Sequence, residues 1–207
     1  MVIFTQERIG QALSLPDFDV SAAHERMNPR PRGTRPPEMP GQPRQGAVLV
    51  IAYAKNGETY LVLTRRRDDL NAHAGQISFP GGQRETGETM RMAAFREAKE
   101  EVGVSIPVLV LLGELSTIYI PPTDFEVHPF VAWHNNLPDF TPQDREVAEI
   151  LEVPISHLME PDTRHEELWD FQGYKIEVPF YLVGPHKIWG ATAIIMSEFL
   201  ERLRAVS

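Results

Sequence analysis

Apolar residues gather in two blocks after residue 46, Ala47 to Ala54 and Tyr60 to Thr64, separated by the polar tetrad Lys55-Asn56-Gly57-Glu58. Asn-Gly supplies the positive φ angles of a tight reversal, so the two blocks predict a hairpin of buried strands. The pattern then turns polar and glycine-rich from Arg65 to Glu88, around Phe79-Pro80-Gly81-Gly82, which reads as a functional loop. A helix is predicted from about Thr89 to Val102, with Gly103 as its left-handed stop. Val108 to Leu112, Phe125 to Trp133 and Ile176 to Val183 read as strands. In the second of these, Phe125, Val127, Val131 and Trp133 recur at even spacing and leave Glu126, His128 and Phe130 on the other face. The last helix is predicted over Ala193 to Ala205. Two short ones precede the hairpin, Gln6 to Leu13 and another starting after Ser21, whose hydroxyl would cap it. Between Asn28 and Gly46 six prolines and four arginines face the single acid Glu38, which predicts an extended arm or linker with a local balance of +3. Strands and helices interleave without a repeat. The expectation is one α/β domain over residues 46–207 behind an N-terminal extension over residues 1–45.

Composition narrows the chemistry. At 207 residues, 42% hydrophobic and 24% charged, the chain has enough apolar residues for a sizeable core, which excludes wholesale disorder. No apolar run approaches the ~18 residues that cross a bilayer, and Gln6, Glu7 and Arg8 interrupt any secretory core. A soluble, unexported, cytoplasmic protein is therefore expected. The absence of cysteine removes disulfides, thiolate zinc sites and cysteine nucleophiles, so a metal would bind through oxygen or imidazole. A net charge of -9 argues against nucleic-acid or anionic-membrane partners, and a polyanionic substrate would need gathered arginines or a cation. A homodimer is compatible with all of this.

Glu97, Glu100 and Glu101 fall on one side of the predicted helix by their offsets of three and four, with Met92, Phe95 and Val102 roughly opposite. A solvated acidic face is the bland alternative. Against it, like charges about 5 Å apart repel by roughly 3 kcal/mol at an effective dielectric near 20. Arg96 and Lys99 offset only part of this, and a hard divalent cation would relieve the rest. Gly81-Gly82 lets the backbone approach a ligand closely, and an inward carbonyl there would be a good oxygen donor. Glu88 and Arg96, eight residues apart, would tie the loop to the helix.

Gly82, Glu88 and the run Arg96-Glu97-Ala98-Lys99-Glu100-Glu101-Val102-Gly103-Val104 together resemble the Nudix box at every defining position. The resemblance implies an α/β/α sandwich with a mixed β-sheet, and an enzyme that hydrolyses a nucleoside diphosphate linked to another group. It also implies Mg2+ or Mn2+, with Glu97 and Glu101 as principal metal ligands, Glu100 as a further ligand or proton acceptor, and Gly81 as a backbone ligand. Glu149 is similar to a late glutamate of some relatives, so Glu100, Glu101 and Glu149 are the catalytic candidates, with Glu146 as another carboxylate to test.

Upstream, Leu63, Thr64, Arg66, Leu70, His73, Gly75, Gln76, Phe79 and Pro80 resemble the extended signature of the coenzyme A pyrophosphatase branch. The branch has a small residue where Arg67 stands and an arginine where Asn71 stands. Ile188 to Ala193 resembles that branch too, and Thr123 to Phe130 does so more loosely. Arg65, Arg66, Arg67 and His73 become the substrate-binding candidates, because arginine forks recognise phosphate bidentately. The alternative for the arginines is pairing with Asp68 and Asp69. Trp189, Phe79 and Phe125 are either adenine platforms or core. The implied reaction cleaves coenzyme A or a derivative to 4′-phosphopantetheine and adenosine 3′,5′-bisphosphate. ADP-ribose, NADH or an oxidised nucleotide as substrate, or a non-catalytic nucleotide sensor, are the competing readings.

Overall fold

Asn56 and Gly57 both adopt positive φ, 52° and 78°, and bring Lys55 opposite Glu58, so the predicted reversal joins two long antiparallel strands. The computed structural model describes residues 3–33, 35, 40–70, 73–171 and 173–207. In chain order the elements are α1 (Gln6–Leu13), α2 (Val20–Glu25), β1 (Arg44–Lys55), β2 (Glu58–Arg66), β3 (Ile77–Ser78), β4 (Gly81–Gln83) and α3 (Met90–Val102). There follow β5 (Leu109–Glu114), β6 (Ile118–Ile120), β7 (Phe125–His134), β8 (Val147–Pro154), α4 (Ile155–Leu158), β9 (Arg164–Phe171), β10 (Tyr174–Val183), β11 (His186–Trp189) and α5 (Gly190–Ala205).

A mixed sheet runs β3-β2-β1-β7-β5, with β4 also on β1, β6 on β7 and β8 on β2. Among the described residues only β1 and β7 pair in parallel; a separate antiparallel sheet runs β11-β10-β9. Leu49 to Tyr53 are fully buried because helices cover both faces of β1. Ala47, Leu49, Ile51 and Tyr53 pack on one side with Ala94, Ala98 and Val102 of α3. Val50 and Ala52 pack on the other with Leu61, Leu63, and Met196, Phe199 and Leu203 of α5. The expected α/β/α sandwich with a mixed sheet is what the chain forms.

The α3 cap lies where expected: the Thr89 side chain accepts from the Met92 N–H at 3.2 Å, and Gly103 closes the helix at φ 69°. Its faces differ from expectation. Met92 is 57% exposed, while Ala93, Ala94, Phe95, Ala98, Glu101 and Val102 are buried. At about 100° per residue, Ala94, Ala98 and Glu101 share one stripe and Met92 is opposite it. Alanines on that stripe let the helix lie close to the sheet, so the glutamates splay: Glu101 inward, Glu97 on the shoulder, Glu100 outward. The α2 cap also differs. Asp19, not Ser21, accepts from the Ala22 N–H, at 2.9 Å, because a carboxylate one residue before the helix reaches the first-turn donors better than a residue already inside it. Helix α5 starts three residues earlier than predicted. It is buried on nearly every side, between the sheets and the N-terminal helices, and so lacks the two-faced pattern of a surface helix.

Phe4, Ile9, Ala12 and Met27 join the α5 side of the core. The wholly buried Glu198 of α5 binds them there: it meets His24 Nε2 at 2.9 Å and accepts from Arg202 Nε at 3.0 Å and the Ser116 N–H at 3.1 Å. Burial pushes the Glu198 carboxyl up, but these partners hold it below the usual glutamate range. Arg30 exchanges backbone hydrogen bonds with Glu177, and Arg35 pairs with Asp124 at 2.8 Å, so the described parts of the arm are tied to the sheets. Pro36, Pro37 and Glu38 of the arm lie outside the described residues. Among those described, no helix is long and apolar enough to cross a membrane.

Candidate active site

The inward stripe of α3 faces the ends of β2 and β4, and the glycines there decide how close it comes. A Cβ on Gly82 would lie 2.4 Å from Glu97 Oε1, so the Glu97 carboxylate occupies the volume that any side chain at residue 82 would fill. At Gly81 a Cβ would lie 2.4 Å from the Ala47 carbonyl oxygen, which makes that glycine a requirement of the β1–β4 contact.

Glu101 is 8% exposed. Its Oε2 accepts from the Gly81 N–H at 3.4 Å and the Thr64 hydroxyl at 3.5 Å, both at the long limit of a hydrogen bond. Burial, then the charge of Glu97, pushes its pKa from 4.5 up to about 8; Glu146 adds to the rise and Arg66 opposes it. Glu97 is also raised, first by burial, with Arg96 pulling it back. Arg96 spreads its fork over the remaining acids. It reaches Glu88 at 3.1 Å, Glu97 at 2.8 Å, Glu100 at 3.4 Å and the Gln83 carbonyl at 3.2 Å, and its own pKa is driven higher, first by Glu88. The Glu88–Arg96 tie between loop and helix is therefore present.

Among the described residues no three carboxylates or imidazoles already meet as a ready cluster for one ion, because Arg96 engages Glu97 and Glu100. The donor set nevertheless suits a hard divalent cation. It is all oxygen, it carries excess negative charge, and Glu101 is buried with only two long hydrogen bonds to offset its charge.

Alternation along β2 sorts the other candidates. Leu61 and Leu63 face α5, as Arg65 then must; Val62 and Thr64 face α3, as Arg66 must. Arg66 meets Glu146 at 3.1 Å on the Glu101 side, and Glu146 raises both Glu97 and Glu101. Glu149 pairs with Arg65 in the β2–β8 ladder, shares the parity of Leu151, and so lies on the α5 face. There it approaches Arg65 at 3.6 Å and His186 at 3.4 Å. The structure thus brings together Glu97, Glu101, Gly81, Arg66 and Glu146, leaves Glu100 on the rim under Arg96, and places Glu149 across the sheet.

Arg65 binds Asp68 at 2.9 Å, and Arg67 binds Asp69 at 2.8 Å and the Asp144 carbonyl at 2.7 Å. Arg65 and Arg67 are thus held by Asp68 and Asp69, as the pairing alternative describes, whereas Arg66 is held by Glu146 instead. His73 is exposed at a left-handed φ of 58°, with Nδ1 2.9 Å from Gln76 Oε1. Asn71 lies outside the described residues. Phe79 is 1% exposed and belongs to the core; Phe125 packs against the core under Arg44. Trp189 is half-buried and meets Trp169 edge-on, 4.9 Å between ring centres. A second rim, Arg84 to Gln45 at 3.2 Å and Gln45 to Glu126 at 2.9 Å, escapes sequence reasoning because its members lie on β1, on β7 and just past β4 and carry no motif.

The model of the NUDIX domain matches residues 43–172. A Nudix hydrolase designated NudL from Photorhabdus laumondii is 33% identical over 78% of this chain and 86% of its own length. The human mitochondrial coenzyme A diphosphatase NUDT8 is 32% identical over 79% of this chain and 71% of its own. Among solved structures, a MutT/nudix family protein from Enterococcus faecalis superposes with a TM-score of 0.56 at 16% identity, covering 97% of this chain and 73% of that one. The MutT protein from Methanosarcina mazei does so at 0.52 and 18%, covering 81% and 97%. The matched domain contains the whole carboxylate helix and the loop that feeds it, and on these likenesses the chain belongs to the Nudix hydrolases and is a pyrophosphohydrolase.

Proposed function

We propose that this Nudix hydrolase cleaves the pyrophosphate of coenzyme A or one of its derivatives, releasing 4′-phosphopantetheine and adenosine 3′,5′-bisphosphate. The observation that carries this reading is the likeness to a coenzyme A diphosphatase over 79% of the chain, together with the Leu63 to Gly82 signature immediately before the carboxylate helix. Nudix hydrolases use divalent cations such as Mg2+ or Mn2+. Here Glu97 and Glu101, with Gly81 and Glu100, would hold the ion, whose charge offsets that of a pyrophosphate and favours its attack by water.

The chain's own groups have separate tasks in this reading. Gly82 leaves room for the Glu97 carboxylate. Arg96 fixes Glu97 and, through Glu88, the loop carrying Gly81 and Gly82. Burial and the charge of Glu97 favour the protonated form of Glu101, and a bound cation would favour its carboxylate. Of the carboxylates considered for accepting the proton of the attacking water, Glu100 and Glu146 lie on the α3 side, and Glu146 has Arg66 beside it at 3.1 Å. Glu149, with Arg65 and His186, is assigned to tying β8 to β2 and β11 instead. Arg65, Arg66, Arg67 and His73 would meet phosphate by exchanging their present partners for it.

The test is a panel of coenzyme A, ADP-ribose, NADH and an oxidised nucleotide, each with Mg2+ and with Mn2+, products identified by mass. Coenzyme A should have the highest kcat/KM, and a chelator should abolish its cleavage. A preference of tenfold or more for any other member refutes the substrate assignment.

A further inference from the structure

On the α5 side of β2, a groove of about 370 Å³ opens between the residues leading into β3 and the β10–β11 hairpin. Gln76, Ile77, Trp169, His186, Lys187 and Trp189 line it. Gln76 and Ile77 belong to the polar stretch before the carboxylate helix, whereas Trp169, His186, Lys187 and Trp189 lie outside both. Trp169 and Trp189 come from two different strands of the small sheet, are both half-buried, and meet at 68° rather than stacking face to face. Around the two indoles stand an amide, an imidazole and an ammonium.

We propose that this groove holds the nucleobase of the substrate, an inference that rests on the coenzyme A reading and specifies which half of that molecule lies there. Indole rings stack on any flat base, and Gln76, His186 and Lys187 supply donors and acceptors for its edge. A pantetheine chain is flexible and has no plane to match two tryptophans. The groove also lies in the right place. Ile77 on its wall pairs with Arg65 in the β2–β3 ladder, and the next pair is Ser78 with Thr64. The Thr64 hydroxyl stands 3.5 Å from Glu101 Oε2 on the opposite face. Adjacent pairs of this ladder thus carry the groove wall on one face of the sheet and the carboxylate site on the other. From the groove, His186 reaches Glu149 at 3.4 Å and Glu149 reaches Arg65 at 3.6 Å, so the line of charged groups continues to the end of β2. A substrate with its pyrophosphate at the carboxylates can turn over this strand end and lay its base against the tryptophan pair. Lys187 is held by Glu167 at 2.6 Å, which fixes its ammonium at the rim of the groove.

The experiment separates the two halves of the substrate and needs no turnover. Adenosine 3′,5′-bisphosphate and 4′-phosphopantetheine are titrated separately, by calorimetry and tryptophan fluorescence, into the full chain with chelator present. The adenine half should bind and quench. Trp189→Leu and Trp169→Leu should each weaken it about tenfold or more, with 4′-phosphopantetheine affinity within about twofold of wild type. Circular dichroism checks each variant; Trp169 lies on the edge strand β9, so its replacement keeps the test available if Trp189→Leu does not fold. The assignment is overturned if the wild type does not bind the adenine half, if neither variant weakens it, or if the variants weaken 4′-phosphopantetheine instead. Tryptophan-dependent binding of the adenine half without cleavage of coenzyme A would sink the substrate reading and leave the groove assignment standing. Cleavage with unchanged affinities would do the reverse.

Discussion

Glu101 makes stability depend on pH in the direction opposite to most paired carboxylates. Its side chain is 8% exposed, its two donors stand at 3.4 and 3.5 Å, and its nearest charges include Glu97 and Glu146. With its pKa raised from 4.5 to about 8, the folded chain retains a proton that the unfolded chain releases. The sign follows from linkage. Below about pH 4.5 both states are protonated and the contribution is fully present; it is lost as pH rises toward 8, where both are ionised and the buried charge is unrelieved. At about 1.4 kcal/mol per pH unit the whole span corresponds to roughly 5 kcal/mol, and the interval from about pH 5.5 to about 7.5 to at most ~2.7 kcal/mol. Relaxation of the carboxylate toward the cleft reduces this, so we expect 1 to 2.5 kcal/mol, to order of magnitude. The assay is urea unfolding with chelator at both ends of that interval, for wild type and Glu101→Gln. The amide stays neutral throughout, and the seven histidines are common to both proteins, so they cancel in the difference. The stability of wild type minus that of the variant should fall by the stated amount as pH rises. Excess Mg2+ should remove the fall, because cation and proton compete for one carboxylate. A difference constant to within about 0.5 kcal/mol in the chelated proteins would refute the reasoning.

Four further outcomes follow from the same geometry. Gly82→Ala displaces only the end of Glu97, so turnover should drop ~100-fold with less than ~1 kcal/mol change in urea stability, whereas Gly81→Ala strikes the β1 backbone and should cost about 2 to 3 kcal/mol. Arg96→Lys cannot reproduce a fork that binds Glu88, Glu97 and the Gln83 carbonyl together, and should lower kcat about tenfold or more with a smaller change in KM. Glu146→Gln should shift the acid limb of the kcat/KM profile while Glu149→Gln leaves that limb in place; a shift in the second alone would return the proton acceptor to Glu149. Glu198→Ala leaves Arg202 and His24 without their buried partner and should cost about 3 to 5 kcal/mol by thermal or urea melting, with increased proteolysis among residues 3–27 as the sign that α1 and α2 have come loose.

The parts of the site that can be read from the chain are those whose partners are near in sequence. The helix, its Thr89 cap, the Gly103 stop and the Glu88–Arg96 tie all span eight residues or fewer beyond the element itself, and local geometry decides them. The central hairpin is legible for the same reason: two positive φ values at Asn56 and Gly57 determine which way the chain turns. Met92 and Glu101 show where local reading stops. Helical spacing tells which residues share a side, but not which side the sheet covers. That depends on Ala94 and Ala98, which fit against β1 more closely than methionine can and carry Glu101 inward with them.

Glu146 and Glu149 show a stronger limit. Three residues apart, Glu149 on β8 and Glu146 just before it, they would ordinarily face opposite sides, but which of them faces Glu101 depends on the register of β8 against β2. The ladder slips between Arg65 and Arg66, where Arg65 opposes Glu149 and Arg66 opposes Val147. A bulge of that kind leaves no trace in hydrophobic periodicity, because Arg65 and Arg66 are both charged and Val147 and Ala148 both apolar, so neither strand alternates there. Its effect is nonetheless large. Alternation already puts Arg66 on the carboxylate side and Arg65 with Glu149 on the groove side; the slip sets Val147 opposite Arg66 and so brings Glu146 within 3.1 Å of it, and a single run of charges is divided between two faces of the sheet. The division gives the signature a physical reason for consecutive arginines at the end of β2: neighbours on a strand point to opposite faces, and a substrate crossing the strand end would meet positive charge on both.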